Sequence, residues 1–354
     1  MMYAVIIAGG RGERFWPYSR LHKPKQLLNM VGNISMLRAT YDRILKIVPA
    51  ENIIIVTNKI LSGGVSNLIP ELKPQNVLIE PKARNTAPAI GLAALYISET
   101  DPDAVMAVFP ADHVIKNQTK FAQALKRARK TAERTDGLVT IGITPKGPET
   151  GYGYIQAILT QENQGSYKVR AFAEKPTFGT AKRFIKSGDF FWNSGIFIWK
   201  ASAILREMEE NIPEIYEPLA KLSGHFNSKS FTGKLNKAFS AIRATSIDYA
   251  VMEVSQNVHM VKGDFEWNDL GSWEALYSLS RKNKHGNVID GDVITIDTSN
   301  TLIKSSGKFV ATIGLENMIV IATDDVFLVA PRDRAQEIKE IVDSLKKGSL
   351  KKYL

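Results

Sequence analysis

The residues best suited to chemistry in this chain are concentrated in its first loop. A glycine-rich turn, Ala8-Gly9-Gly10-Arg11-Gly12, directly follows an apolar run at residues 3–7. Glycines leave backbone N–H groups unscreened by side chains, so a phosphate or a flat base can approach closely. Cationic side chains then recur at short intervals, at Arg11, Arg14, Arg20, Lys23 and Lys25. The loop therefore favours a site for a phosphorylated ligand.

The loop matches neither of the two common phosphate-binding motifs. The dinucleotide fingerprint needs a further glycine, but Glu13, Arg14 and Phe15 follow Gly12, and the chain lacks a P-loop Gly-Lys-Ser/Thr sequence. On the glycines alone, a solvated basic loop is as good an interpretation as a ligand site. The elements that position the loop have to be considered with it.

Strands and helices alternate on both sides of this loop. Apolar runs typical of buried parallel strands occur at residues 3–7, 53–56, 77–79 and 104–109. Segments with helical periodicity separate them, and this rhythm predicts a doubly wound, Rossmann-like α/β sheet. In such sheets ligands bind at the carboxyl ends of the strands, where the glycine-rich loop lies.

Two further turns follow strands of the same sheet. The turn at residues 80–86 contains Glu80 and Asn85, which could pair with the donors and the carbonyl of a guanine base. A plain helix cap is the alternative for Asn85. The next strand leads to Asp112, and a carboxylate at a strand tip is suited to hold Mg²⁺. A structural turn residue is the alternative there.

Polar residues interrupt the apolar pattern in the middle of the chain. Gly153 lies in a run where the backbone could approach a ligand or form a bulge. Glu174 and Lys175 end a strand, and Asn193 lies inside the apolar run 191–198, where a buried amide needs partners. Taken alone, Glu174 and Lys175 are better explained as an exposed ion pair that contributes little to stability.

The last part of the chain changes character. Asp269 lies in a short acidic and aromatic segment, and short β runs separated by Gly, Asn and Asp begin near residue 287. This pattern predicts a main domain over residues 1–284 and a small β-helix or β-roll over 285–354. A helix with an apolar stripe ends it, and we expect that stripe to dock on the β domain or, alternatively, to form a homodimer seam.

The composition limits the chemistry. The chain has no cysteine, which excludes disulfides, thiolate metal sites and cysteine nucleophiles, so a metal site should use carboxylates. A net charge of +10 suits anionic partners, but the cations are dispersed and the sequence contains no nucleic-acid module. No apolar run approaches the roughly 20 residues of a membrane span, and no export signal precedes the first strand. We therefore expect a cytoplasmic protein without nucleic-acid or membrane partners.

The signature of the first loop resembles that of the sugar-nucleotide pyrophosphorylases, most of all their mannose-1-phosphate guanylyltransferase branch. The resemblance rests on the runs Gly9-Gly10-Arg11-Gly12-Glu13-Arg14-Phe15-Trp16-Pro17, Ser19-Arg20 and Pro24-Lys25-Gln26. The Pro-Lys-Gln ending favours guanine over uridine or thymidine. Residues 80–88 also match the family segment Glu-Pro-x-x-Arg-Asn-Thr-Ala-Pro in full.

The resemblance implies a fold of the nucleotide-diphospho-sugar transferase type, with a doubly wound mixed sheet and a small β-helix-like domain. It implies catalytic roles for Arg14 and Lys25 and metal binding by Asp112 and Asp269. The implied nucleotide-binding residues are Ala8, Gly9, Gly10, Arg11, Gly12, Glu80 and Asn85. The implied sugar-phosphate residues are Gly153, Glu174, Lys175 and Asn193.

The implied reaction is attack by mannose 1-phosphate on the α-phosphorus of GTP, with Mg²⁺ as cofactor and with GDP-mannose and pyrophosphate as products. Two alternatives stay open at the sequence level. One is a related pyrophosphorylase with another base or sugar. The other is a non-catalytic sensor subunit that binds a sugar nucleotide, although such a sensor has no reason to keep the metal-binding pair.

Overall fold

The structure is a computed structural model that describes residues 1–10 and 12–354. Arg11 lies outside the described residues, so its role in nucleotide binding stays a prediction. The chain forms two compact units, the larger from residues 1–9 and 40–267 and the smaller from residues 10–39 and 268–354. This is a different division from the predicted domain boundary between residues 284 and 285, which stays a prediction.

The strands lie largely where the apolar runs predict them. In the larger unit they are β1 (Met2–Ile7), β2 (Ile53–Asn58), β3 (Val77–Glu80), β4 (Val105–Pro110), β5 (Val114–Lys116), β6 (Leu138–Ile143), β7 (Tyr154–Asn163), β8 (Ser166–Ala173), β9 (Phe190–Lys200), β10 (Val258–Gly263) and β11 (Glu266–Asn268). In the smaller unit they are β12 (Val288–Asp290), β13 (Val293–Ile296), β14 (Leu302–Ser305), β15 (Val310–Ile313), β16 (Met318–Ala322) and β17 (Phe327–Pro331).

The helices separate these strands. They are α1 (Met36–Leu45), α2 (Ser62–Leu68), α3 (Thr86–Ser98), α4 (Gln118–Thr135), α5 (Phe178–Ser187), α6 (Ala201–Asn211), α7 (Pro213–Ala220), α8 (Phe231–Ala241), α9 (Trp273–Leu279) and α10 (Ile338–Lys347). A π-helical turn, Asp248–Met252, follows α8. The sequence predicts one helical region over 200–255, and the structure divides it because Pro213 begins a new helix and the chain extends after α8.

One mixed sheet forms the centre of the larger unit. Among the described strands its order is β3-β2-β1-β4-β9-β6-β10-β8-β7. The strands β3, β2, β1 and β4 are parallel, whereas β9 runs antiparallel to β4 and to β6. The parallel half carries the carboxyl-terminal turns of β1, β3 and β4 to one edge, as the sequence predicts.

Helices cover both faces of this sheet. Met106 and Val108 of β4 belong to the same apolar cluster as the buried residues of α3. Phe109, the next residue along the strand, packs instead on Phe121 of α4, with ring centroids 6.2 Å apart. Successive strand residues point to opposite faces, so α3 and α4 lie on opposite sides. The predicted doubly wound mixed α/β fold is confirmed.

The smaller unit contains the short parallel coils expected of a β-helix. The strands β12, β14 and β16 are parallel in register, and β13 pairs in parallel with β15. Their inward side chains form a small core of Ile303, Val310, Val320 and Ala322. The predicted β-helix-like part of the fold is confirmed.

The terminal helix α10 packs on the first loop. Lys346 of α10 forms an ion pair with Glu13, Nζ to Oε1 at 2.9 Å, and Trp16 donates its indole N–H to the carbonyl of Tyr353 at 2.8 Å. The sequence predicts docking on the β domain, whereas these contacts place the end of the chain against the turn that carries Glu13 and Arg14. The homodimer seam stays a prediction.

Candidate active site

Gly12 and Lys25 lie against each other in the smaller unit. Gly12 adopts a φ of +62°, and a Cβ at this position would lie 2.5 Å from the Cβ of Lys25. Backbone conformation and lack of space therefore both require glycine here. Lys25 begins a short 3₁₀ turn and is only 4% exposed. The glycine-rich loop thus packs directly on a buried lysine.

Backbone carbonyls hold the ammonium group of Lys25. Its Nζ donates to the carbonyl oxygens of Asp269 at 2.9 Å and Leu270 at 2.8 Å. Leu270 adopts a φ of +46°, a left-handed conformation that is unfavourable for a bulky residue. Such strain persists where the surroundings enforce it, and it is concentrated at functional sites. The two hydrogen bonds from Lys25 supply part of that constraint.

Arg14 and Asp269 belong to the same cluster. The Arg14 guanidinium donates to the carbonyl of Gly271 at 3.1 Å, and the N–H of Gly271 donates to Asp269 Oδ1 at 2.9 Å. The smaller unit therefore brings together three of the predicted residues, namely Arg14, Lys25 and Asp269. Two cations beside one carboxylate form an arrangement that can bind polyphosphate and a cation together.

Side chains of the signature segment also fix the shape of the first loop. Gln26 donates to the carbonyl of Gly10 at 2.7 Å, and Ser19 donates to the carbonyl of Gly12 at 2.7 Å. These bonds tie the loop to the segment that carries Lys25. The order of residues in the signature therefore has a direct structural reason.

In the larger unit, Glu80 lies beside Gly9 at the end of β3. A Cβ on Gly9 would lie 3.5 Å from Glu80 Oε2. Glu80 is 4% exposed, and its Oε1 is buried without a hydrogen-bond partner among the described residues. Burial raises the pKa of the Glu80 carboxyl to about 8. A buried carboxyl with an unsatisfied oxygen is suited to accept hydrogen bonds from a ligand.

Asn85 caps helix α3. Its Oδ1 accepts from the N–H of Thr86 at 2.9 Å, and its φ is +68°. The oxygen of the Asn85 side chain therefore acts as a helix cap, which is the alternative that the sequence analysis left open. A contact between Asn85 and a base stays a prediction.

Asp112 lies in the turn after β4 and is half-buried. The carbonyls on either side of it are held, because Thr40 donates to Ala111 O at 3.1 Å and Arg43 donates to His113 O at 3.3 Å. Two side chains of helix α1 therefore hold the backbone on either side of Asp112. This is the strand tip at which the sequence predicts a metal ligand.

The four predicted sugar-phosphate residues meet in the larger unit. A Cβ on Gly153 would lie 2.4 Å from Glu174 Oε2 and 3.4 Å from Asn193 Cβ. Lys175 pairs with Glu174, Nζ to Oε1 at 2.7 Å, and adopts a left-handed φ of +48°. The N–H of Asn193 donates to the carbonyl of Gly153 at 2.8 Å. An acid and an amide thus lie beside one glycine, and the cation pairs with the acid.

Sequence reasoning missed one member of this cluster. Asp248, in the π-helical turn, accepts a hydrogen bond from Asn193 Nδ2 at 3.0 Å. Burial, followed by the charge of Glu174, raises the pKa of Asp248 to about 6. An acid that precedes the apolar residues Ala250, Val251 and Met252 is the signal that could have drawn attention to it.

Comparison with known proteins adds an independent observation. The nucleotidyl transferase family model matches residues 3–286, most of the chain. The chain belongs to the nucleotidyl transferase family. A second model, the MannoseP isomerase/GMP-like beta-helix domain, matches residues 291–345. The predicted membership of the sugar-nucleotide pyrophosphorylases is thereby confirmed.

Relatives of this nucleotidyl transferase align over nearly the whole chain. The xanthan biosynthesis protein XanB of Xanthomonas campestris pv. campestris is 42% identical over 345 residues, which is 97% of this chain and 73% of the relative. The mannose-1-phosphate guanylyltransferase of Klebsiella pneumoniae is 39% identical over 358 residues, covering 100% of this chain and 76% of the relative.

A solved structure shares the nucleotidyl transferase fold over its whole length. A protein of Thermus thermophilus, described as a mannose-1-phosphate geranyltransferase, superposes with a TM-score of 0.87. It is 30% identical, and the match covers 98% of this chain and 99% of that protein. The large sheet and the small β-helix therefore recur together in a relative.

The donor chemistry of the nucleotidyl transferase fits a hard divalent cation. Asp112 and Asp269 offer carboxylate oxygens, the ligands that Mg²⁺ prefers. Within residues 1–10 and 12–354, no three His, Asp or Glu side chains cluster as a metal cage. A cation bound by either acid would take its remaining ligands from other groups such as phosphates and water.

Proposed function

We propose that the chain is a mannose-1-phosphate guanylyltransferase, which makes GDP-mannose and pyrophosphate from GTP and mannose 1-phosphate. Its full-length similarity to the Klebsiella pneumoniae enzyme of that name carries this proposal. The clusters around Lys25 and around Glu174 support it, because they offer separate groups for a polyphosphate and for a sugar phosphate.

The proposed chemistry requires the chain to bring two polyanions together. The phosphate of mannose 1-phosphate is already ionised, so attack on the α-phosphorus of GTP needs no general base. Arg14 and Lys25 bind the triphosphate and stabilise the charge that develops on its oxygens. Because backbone carbonyls fix Lys25, this cation is preorganised.

The carboxylates of Asp112 and Asp269 would hold Mg²⁺. When bound, this ion would neutralise charge on the phosphate oxygens. In the other subsite, Lys175 binds the phosphate of the sugar, whereas Glu174 and Asn193 bind its hydroxyl groups. Glu80 accepts hydrogen bonds from the N–H groups of guanine, and the backbone around Gly9 and Gly10 approaches the nucleotide.

The direct test is pyrophosphate release from GTP and mannose 1-phosphate with Mg²⁺. We expect release only when both substrates are present. Profiling four nucleoside triphosphates against mannose 1-phosphate and glucose 1-phosphate then fixes the base and the sugar. If the chain binds GDP-mannose but releases no pyrophosphate with any pair of nucleoside triphosphate and sugar 1-phosphate, the enzyme proposal fails and the sensor alternative takes its place.

The buried carboxyl of Glu80 makes GTP binding depend on pH. Accepting from guanine N1–H and N2–H requires the ionised form, so GTP affinity should rise as the pH increases through about 8, the raised pKa of Glu80. Glu80→Gln should weaken GTP binding by about 10- to 100-fold and remove this rise. Calorimetric titrations between pH 7 and 9 measure both effects.

The same variant has an opposite effect on the free protein. An acid with a raised pKa in the folded state stabilises the fold below its ordinary pKa of 4.5, and this contribution is lost as the pH rises through about 8. Glu80→Gln should therefore raise the unfolding temperature at pH 9 relative to the wild type. Equal GTP affinity in both proteins at every pH would contradict the role of Glu80.

Gly153 gives a test of the sugar-phosphate subsite. In Gly153→Ala the new methyl group would lie 2.4 Å from Glu174 Oε2, so the carboxylate must move away. We expect KM for mannose 1-phosphate to rise about tenfold or more, with KM for GTP unchanged, because one charged hydrogen bond is misplaced. Gly151→Ala is the matched control, since its Cβ meets nothing within 4 Å. Equal KM values in the two variants would contradict the assignment.

No helix in the described part of the chain is long and apolar enough to cross a membrane. We propose that the enzyme works in the cytoplasm, where GTP is available, without nucleic-acid or membrane partners. A homodimer is part of the same proposal, and sedimentation at micromolar concentration would test it.

A further inference from the structure

The amide of Asn193 has only one possible orientation. Its Oδ1 accepts from the backbone N–H of Gly195 at 3.0 Å and from the hydroxyl of Thr140 at 3.1 Å. A backbone N–H can only donate, so the amide atom that faces it must be oxygen. The single proton of the Thr140 hydroxyl can also go to the carbonyl of Ile196 at 3.3 Å, so the bond from Gly195 is the one that fixes the orientation. The oxygen of the Asn193 amide thus faces groups of the protein.

The nitrogen side of the same amide faces a carboxylate. Asn193 Nδ2 donates one N–H to Asp248 Oδ1 at 3.0 Å. The second N–H has no partner among the described residues, and Asn193 is 9% exposed. Asp248 and the backbone of Gly195 thus hold the amide from opposite sides. What remains for a ligand is a single, fixed donor.

Asp248 also lies within the electrostatic reach of the other sugar-phosphate residues. The charge of Glu174 raises the pKa of Asp248 and the charge of Lys175 lowers it, while burial has the largest effect and also raises it. Asp248 lies in a π-helical turn, a feature found often at functional sites. The N–H of Glu174 donates to Glu253 Oε1 at 3.2 Å, and Glu253 directly follows that turn. Residues in and directly after the turn therefore contact both Asn193 and Glu174.

We propose that Asp248 is a positioning residue that fixes Asn193 as a hydrogen-bond donor and thereby helps to set which sugar 1-phosphate the enzyme accepts. The inference rests on the proposed function. Asn193 donates to one hydroxyl oxygen, and the Glu174 carboxylate accepts from a hydroxyl hydrogen. A donor and an acceptor at fixed places select the position of sugar hydroxyls, because a misplaced hydroxyl leaves a buried group unpaired.

Two substitutions separate the hydrogen bond from the charge. Asp248→Leu removes the acceptor, so the Asn193 amide loses its anchor on the nitrogen side. Asp248→Asn can keep a carbonyl acceptor for Asn193 Nδ2 but has no charge and does not titrate. Asp189→Asn is the matched control, because the Asp189 carboxylate accepts from Gln156 at 2.7 Å and Ser187 at 2.6 Å in the same unit.

For Asp248→Leu we expect KM for mannose 1-phosphate to rise about 10- to 100-fold, while KM for GTP changes less than about twofold. The preference for mannose 1-phosphate over glucose 1-phosphate should fall by a similar factor. Asp248→Asn should restore most of the affinity, and Asp189→Asn should behave as the wild type. These ratios are the readout that a merely structural role would not move.

A pH profile and the unfolding temperature give two independent readouts. Sugar-phosphate affinity of the wild type and of Asp248→Asn should change in parallel through about pH 6, the raised pKa of Asp248, because the protonated carboxyl keeps a carbonyl oxygen that accepts from Asn193 Nδ2. A steeper fall in the wild type would show that the charge, and not the hydrogen bond, positions Asn193. At pH 8 the ionised carboxylate is desolvated in the fold, so Asp248→Asn should unfold at an equal or higher temperature. If Asp248 were needed only for stability, Asp248→Asn would unfold at a lower temperature than the wild type.

The outcomes also separate this inference from the proposed function. If the wild type turns over and the Asp248 variants keep its KM values and sugar preference, the role of Asp248 is refuted and the enzyme assignment stands. If the wild type binds mannose 1-phosphate without releasing pyrophosphate, the enzyme assignment fails. In that case calorimetry measures the dissociation constant of mannose 1-phosphate for the wild type and for the Asp248 variants. The same ratios between variant and wild type then support or refute the role of Asp248.

Discussion

Lys25→Ala is expected to lower kcat by on the order of 10²–10³, the usual cost of losing one preorganised group that stabilises developing charge. Lys25 is 4% exposed, and its ammonium group is fixed by the carbonyls of Asp269 and Leu270 at 2.9 and 2.8 Å. It therefore needs no reorganisation when charge develops on the phosphate oxygens. Pyrophosphate release at saturating GTP and mannose 1-phosphate measures the loss.

Stability must be measured on the same variant. Removing the ammonium leaves two carbonyls without this donor and relaxes the constraint on Leu270, so we also expect a lower unfolding temperature. The loss of turnover should nevertheless be the larger effect at temperatures where the variant is folded. Lys23→Ala is the matched control, because Lys23 is exposed in the same segment. Equal kcat in the two variants would remove Lys25 from the catalytic residues.

Asp112→Asn and Asp269→Asn are each expected to lower pyrophosphate release by on the order of 10²–10³, because a bound divalent cation contributes several kcal/mol of charge stabilisation. The amide keeps one oxygen, so Gly271 can still donate to residue 269 as it does to Asp269 Oδ1 at 2.9 Å. The substitutions therefore remove charge with little change in shape. They test the ligands more cleanly than alanine.

A magnesium titration distinguishes a ligand from a structural carboxylate. The Mg²⁺ concentration for half-maximal release should rise in both variants, whereas it should not change in Asp264→Asn, an exposed acid of the same acidic segment as Asp269. Replacing Mg²⁺ with a chelator should abolish release by the wild type. Release that is independent of the metal, or unchanged half-saturation in the two variants, would refute the proposed metal pair.

The sequence by itself determined the fold class and the position of the first loop. Buried parallel strands read as continuous apolar runs, and the runs before Ala8, Glu80 and Asp112 lie where β1, β3 and β4 form. Parallel strands end at a common edge of the sheet, so the sequence alone predicts that the turns after β1, β3 and β4 lie at the same edge. The signature segment also pointed to the family that the comparisons confirm.

The polar half of β7 shows where the sequence was insufficient. Residues 158–163 lie in an antiparallel hairpin with β8 and are mostly exposed, so they lack the apolar alternation that predicts a strand. The position of α10 was undetermined for a similar reason. Its apolar stripe predicts a partner but does not identify it, and the ion pair between Lys346 and Glu13 is a contact between distant parts of the chain.

Only the tertiary structure decided which atoms each site residue can offer. The sequence places Asn193 in an apolar run, but the bonds to Gly195 and Asp248 determine which atom of its amide is the oxygen and which is the nitrogen. The sequence likewise places Glu80 in a turn, whereas burial decides that its pKa lies near 8. Hydrogen-bond direction and desolvation depend on neighbours that are remote in the chain, and residue types and spacing do not contain that information.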